Sequence, residues 1–167
     1  ITRRLNDLGM GQYLDVVYAD DLIDLGNDIK TLVQDNTIKI STDDIIRKKT
    51  SSLFELCYII SWMIINHKEN EEFVNQTKDK IIHLGNIFGM IFQIADDFED
   101  YEQDSINNGK NMVMNYPITK GLDKGNKHFK LYVNQFTKLS KNLNLETKEI
   151  TEIIKYLEEK EQKYYDY

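Results

Sequence analysis

Pro117 is the only proline among 167 residues. A chain that so rarely forfeits a backbone donor can form helix along nearly its whole length. Its apolar residues recur three and four apart, the period of one helix face, and no alternating run is long enough to compete as a strand, frequent though Val, Ile and Tyr are. The pattern predicts helices over about 5–33, bent near Asp20 to Gly26, and over 42–66, 71–102, 127–139 and 147–164. Ser41-Thr42-Asp43-Asp44 offers the second of these a capping hydroxyl and early acids that complement the helix dipole. Ser105 to Gly125, with its Asn and Gly residues and the proline, is predicted to be a long loop. There is no repeat, low-complexity tract or linker, so residues 1–167 read as a single all-α domain.

Hydrophobic residues make up 41% of the chain and charged residues 29%, enough apolar content for one core. A net charge of −7, with lysines scattered among acids, argues against nucleic acid, which calls for a basic patch. The single cysteine, Cys57, permits no internal disulfide and suits a reducing, cytoplasmic setting; its apolar helix predicts a buried thiol. The longest apolar run, Cys57 to Ile65, contains Ser61 and falls far short of the roughly 20 residues of a membrane span. It reads as a core helix. Because the chain begins at Ile1 rather than Met, membrane contact through an upstream segment stays open.

The chemistry is concentrated in Gly89 to Asp104. Asp96, Asp100 and Asp104 are spaced by one helical turn and share a face, and Gln93 and Asp97 form a neighbouring pair. A solvated acidic face is the plain reading of such a run. Against it, Ile87, Phe88, Ile91, Phe92 and Ile94 come directly before the acids, so a buried helix turns acidic as it would at a cavity mouth. Carboxylates so crowded repel one another unless neutralised, and a row of hard oxygens suits Mg2+, which completes its shell with water and substrate phosphates. The expected ligand is phosphorylated.

Four ordered stations identify a family. Phe92-Gln93, Asp96-Asp97-x-x-Asp100 and the following Gly109-Lys110 resemble the second aspartate-rich motif, FQxxDDxxD, of the trans-isoprenyl diphosphate synthases, or polyprenyl synthetases. Gly11-Gln12-x-x-Asp15, then Lys49-Thr50 with Ser51-Ser52-Leu53-Phe54-Glu55-Leu56, and then Asn115-Tyr116 fall in that family's order. The resemblance implies the C-terminal helices of the all-α isoprenoid-synthase fold and the head-to-tail joining of an allylic prenyl diphosphate to isopentenyl diphosphate. It implies that Mg2+ bridges the allylic diphosphate to Asp96 and, directly or through water, to Asp97 and Asp100. Lys49 and Lys110 would neutralise diphosphate oxygens, and Thr50 and Gln93 would turn dipoles toward the allylic cation. Gln12 and Asp15 would border the cavity, mainly as support. Phe92, with Phe54, Tyr58 and Phe88, would line the prenyl channel or else belong to the core. With the departing diphosphate accepting the proton, no histidine base is required. His67, His83 and His128 show no ligand spacing and read as helix-end or surface residues.

Asp20-Asp21-Leu22-Ile23-Asp24 also spells DDxxD, but it follows Gly11-Gln12, whereas the family's first acidic motif precedes that pair and is followed by arginines. It reads as the polar end of the first helix. Arg3 and Arg4 do not replace the missing motif, and the isopentenyl diphosphate half of the family's site has no counterpart in these residues. The expectation is therefore a C-terminal half that is inactive alone, covered by an N-terminal segment or paired as a homodimer. A terpene cyclase would need a polar metal triad that Asp96 to Asp104 does not match. A non-catalytic partner subunit of a heteromeric synthase is the alternative, because it can keep the acidic helix without the first metal site.

Overall fold

In a computed structural model, residues 2–19, 41–107 and 115–165 are described, without the side chains of 15–19. Helix α1 spans Thr2–Ala19; the remainder of the expected 5–33 segment lies outside the described residues. The second predicted helix is one rod of three parts: α2 (Thr42–Ile46), a π-helical turn (Arg47–Ser51) and α3 (Ser52–Ile65). Ser41 caps it as expected. Its hydroxyl accepts from the Asp44 amide at 3.2 Å, and the Asp44 carboxylate accepts in return from the Ser41 amide at 3.2 Å.

Asn70 caps α4 (Glu71–Glu99), the 29-residue axis of the molecule, about 44 Å long at 1.5 Å per residue. Through its C-terminal half α4 is apolar on nearly every side: Leu84, Ile87, Met90, Ile91, Ile94, Ala95 and Phe98 are all buried. Such a helix must be surrounded. It packs against α3, α7 (Leu122–Asn142) and α8 (Lys148–Tyr165). Phe129, Val133 and Phe136 of α7 and Ile154 and Leu157 of α8, spaced by three and four, complete the core. Among the described residues there is no strand, and no helix is long and apolar enough to cross a membrane.

Three expectations are corrected. The helix predicted to run to 102 pauses at Asp100, which caps α4, before α5 (Tyr101–Asn107). The predicted loop 105–125 contains α6 (Tyr116–Lys120) and the beginning of α7. Asn115 caps α6 by accepting from the Ile118 amide at 3.2 Å, and Pro117 sits in its first turn, where the missing donor costs nothing. The residues taken as helix breakers are thus a helix start. Cys57 is exposed rather than buried. It lies on the outer face of α3, in one stripe with Leu53, Ile60 and Ile64, which are also exposed.

Candidate active site

Two glycines set the geometry before any polar group does. The backbone of the π-turn lies between α1 and α4. A Cβ on Gly11 would overlap the backbone at Lys48 and Lys49, and one on Gly89 would sit 2.5 Å from Ser51 Cα. Only glycine allows three backbones to approach so closely. The π-turn itself is marked by Ser52, whose amide and hydroxyl both donate to the carbonyl of Arg47, five residues back. The extra residue turns Thr50 toward α4, and π-turns of this kind concentrate at functional sites.

From Thr50 a chain of hydrogen bonds runs across the helices. Its hydroxyl donates to Gln93 Oε1 at 2.7 Å, and Gln93 Nε2 donates to Asp97 Oδ1 at 2.8 Å. Asp97 Oδ2 accepts from the Tyr116 amide at 2.8 Å, while Asn115 Nδ2 donates to the Asp97 carbonyl at 2.6 Å and to Asp104 Oδ2 at 3.1 Å. Three of the four sequence stations therefore meet through hydrogen bonds. Asp97 is their hub: it is buried, and both of its oxygens face protein donors. Burial pushes its carboxyl up to about 7, against the pull of Gln93 and Tyr116; the Asp96 charge adds to the rise and Lys49 opposes it.

Tyr116 is pinned from its other end. Its buried hydroxyl donates to Asp43 Oδ1 at 3.1 Å and lies 2.6 Å from His128 Nδ1, and Lys120 bonds Asp43 at 2.5 Å. Burial and the Asp43 charge raise the phenol well above its usual range. Burial also lifts the Asp43 carboxyl, but Lys120 and the Tyr116 hydroxyl outweigh it and hold Asp43 below the ordinary value. His128, read from sequence as an ordinary surface or helix-end residue, is half-buried and belongs to this cluster.

Asp96 and Asp100 face the other way, on the open side of α4. Asp96 is 41% exposed. Asp100 is exposed, yet partial desolvation and then the charges of Asp96, Asp104 and Glu99 raise its carboxyl, with Lys160 opposing. That mutual crowding is what a hard cation relieves. Among the described residues no three acids converge as a ready-made cage. Mg2+ does not require one, since one or two carboxylates with water and phosphate satisfy it, and Asp96 and Asp100 fit that donor set.

Phe92 is 39% exposed beside Gln93, whereas Phe88 is buried. Phe54 bridges them, with ring centroids 5.4 Å from Phe92 and 4.9 Å from Phe88. The aromatic group is thus a core that opens at one end. Gln12 is exposed on α1 next to the buried Gly11. Lys49, in the π-turn, is half-buried and near enough for its charge to act on Asp97. The Asp15 side chain, Gly109, Lys110 and Asp20, Asp21 and Asp24 lie outside the described residues. Sequence reasoning missed Lys160 of α8, whose Nζ lies 3.2 Å from Asp96 Oδ1 and 2.5 Å from Glu99 Oε2. No local motif marks it, because it reaches the acids only through the packing of α8 on α4.

A family model described as polyprenyl synthetase matches residues 1–161. No curated protein and no solved structure matches the chain.

Proposed function

This chain belongs to the polyprenyl synthetase family, a family of prenyltransferases, and on that premise we propose that the acidic C-terminal end of α4 binds an allylic prenyl diphosphate for head-to-tail condensation with isopentenyl diphosphate. The observation that carries the reading is the division of labour within Asp96-Asp97-x-x-Asp100. Two carboxylates, Asp96 and Asp100, stand on the open side, while the carboxylate between them is turned inward and holds Thr50, Gln93 and Tyr116 together.

Asp96 and Asp100 are the residues that would hold Mg2+, whose charge stabilises a departing diphosphate. Lys49 and Lys110 would neutralise the remaining phosphate charge as point charges. Thr50 and Gln93 are oriented by Asp97, so their oxygen dipoles are fixed in advance of the developing allylic cation; preorganised dipoles need no rearrangement when charge appears. Asp97 works from behind the site, through Gln93 and the α6 backbone, in preference to contacting the metal directly. Phe92, at the open end of the aromatic group, borders the prenyl chain. Gln12 and Asp15, by their place in the family's motif, would border the cavity as support.

Calorimetry tests this. Asp96→Ala should weaken Mg2+-dependent binding of an allylic diphosphate by about a hundredfold, whereas Asp97→Asn should weaken it much less. Unchanged binding in Asp96→Ala would remove the metal role assigned to this residue.

A further inference from the structure

One cation in this chain already competes for the site. Lys160 extends from the inner side of α8, where its neighbours Leu157 and Glu161 are buried, and Glu161 is tied to α7 by the Asn126 amide at 2.7 Å. That attachment fixes the position of the lysine stem. Its side chain is only 14% exposed, and its ammonium bridges Asp96 and Glu99, two acids on adjacent edges of α4. Tyr164, one turn further along α8, faces Glu99 with its hydroxyl 3.5 Å from Oε1. Lys160 is thus built in, unlike the exposed pairs Lys148–Glu152 and Lys155–Glu159 on the same helix.

We propose that Lys160 is the counter-cation of Asp96, which a divalent metal must displace, so that metal binding is coupled to the arrival of diphosphate. The inference rests on the metal-site reading given above. Two cations cannot share one carboxylate without strong repulsion at separations of a few ångströms. A bare divalent ion would have to push Lys160 away from Asp96 and leave the ammonium with Glu99 alone. A metal that comes with diphosphate brings phosphate oxygens, which offer the ammonium a new partner within the same reach. Lys160 therefore disfavours the metal alone and favours the metal–diphosphate pair. By linkage, the metal and diphosphate each strengthen the other's binding by the same factor.

Electron paramagnetic resonance of Mn2+, with and without inorganic diphosphate, measures this coupling directly on the full chain. In the wild type Mn2+ alone should bind weakly and diphosphate should tighten it. In Lys160→Met the affinity for Mn2+ alone should rise by about tenfold, and the enhancement by diphosphate should shrink by a similar factor. Lys160→Gln keeps a hydrogen-bond donor to Asp96 without the charge and should behave as Lys160→Met does; it guards against lost packing of α8. Lys160→Arg, which retains the charge, should stay close to wild type. Unchanged or weaker Mn2+ binding in both neutral variants would overturn the proposal and leave Lys160 a structural tie. Failure of wild type and variants alike to bind Mn2+ even with diphosphate would remove the metal site itself, and this inference with it.

Discussion

Asp97 shows at the scale of one residue how neighbouring acids come to differ. Asp96 and Asp97 are adjacent in sequence, but successive residues on a helix point about 100° apart, so one faces solvent while the other enters the core. The consequence is measurable. The folded Asp97 carboxyl titrates at about 7 against 3.8 for the ordinary group, because burial penalises its charge. Between pH of about 4 and about 7 the native protein keeps a proton that the unfolded chain releases, so this residue makes stability fall as the pH rises through that window. Asp97→Asn should flatten that part of the pH dependence in chemical denaturation. The fold should survive, because the Gln93 amide can turn over and its nitrogen then faces the Thr50 hydroxyl, which accepts as well as donates. An unchanged pH slope would mean that Asp97 is ionised throughout. That the pair Gln93 and Asp97 meets follows from i, i+4 spacing and was readable in the sequence. That Asp97 also accepts from the Tyr116 amide, 19 residues away, was not.

Among elements, the π-turn depends on what presses against it from both sides. Gly11→Ala would drive a methyl group into the backbone at Lys48 and Lys49. We expect a loss of about 2 kcal/mol, as for an overpacked core, and a fall in diphosphate affinity larger than the stability change alone explains, since Lys49 moves with the turn. Thermal unfolding alongside calorimetry separates the two effects. A second clamp joins the same elements. Arg4 of α1 pairs with the buried Glu55 of α3, whose other oxygen accepts from Asn86 of α4 at 2.8 Å. Arg4→Met should cost about 3 kcal/mol, because it strands the carboxylate away from water. Restoring most of that stability by Arg4→Met with Glu55→Gln, which keeps an acceptor for Asn86, would identify the stranded charge as the cause; no restoration would assign the loss to packing.

At the scale of the whole molecule, α3 carries Leu53, Ile60 and Ile64 in an exposed stripe, with Met63 and Ile65 also exposed close by. Apolar surface in a continuous strip promotes association. The chain should associate reversibly in sedimentation velocity runs over a concentration series, and Ile60→Glu with Ile64→Glu should leave it monomeric. If both proteins sediment as monomers, the stripe does not pair two copies.

Sequence alone determined the parts of this protein that depend on near neighbours. Helical period marked the main helical segments as far as the described residues show them, the cap at Ser41 located the start of the second, and one-turn spacing put Asp96, Asp100 and Asp104 on one edge. The acidic stripe, the Lys49-Thr50 station and the family they indicate are all local strings. Tertiary structure decided which face of each string turns inward and what it meets there. It set the inward Asp97 apart from the outward Asp96 and Asp100, made Asn115-Tyr116-Pro117 an anchoring helix where a loop was expected, left Cys57 outside, and brought Lys160 from α8 to Asp96, 64 residues earlier in the chain. The physical reason is one of range. Propensity, capping and periodicity act within a few turns of backbone, whereas the partner of a charge in a folded core is chosen by the packing of helices far apart in sequence, and no local pattern encodes that distance.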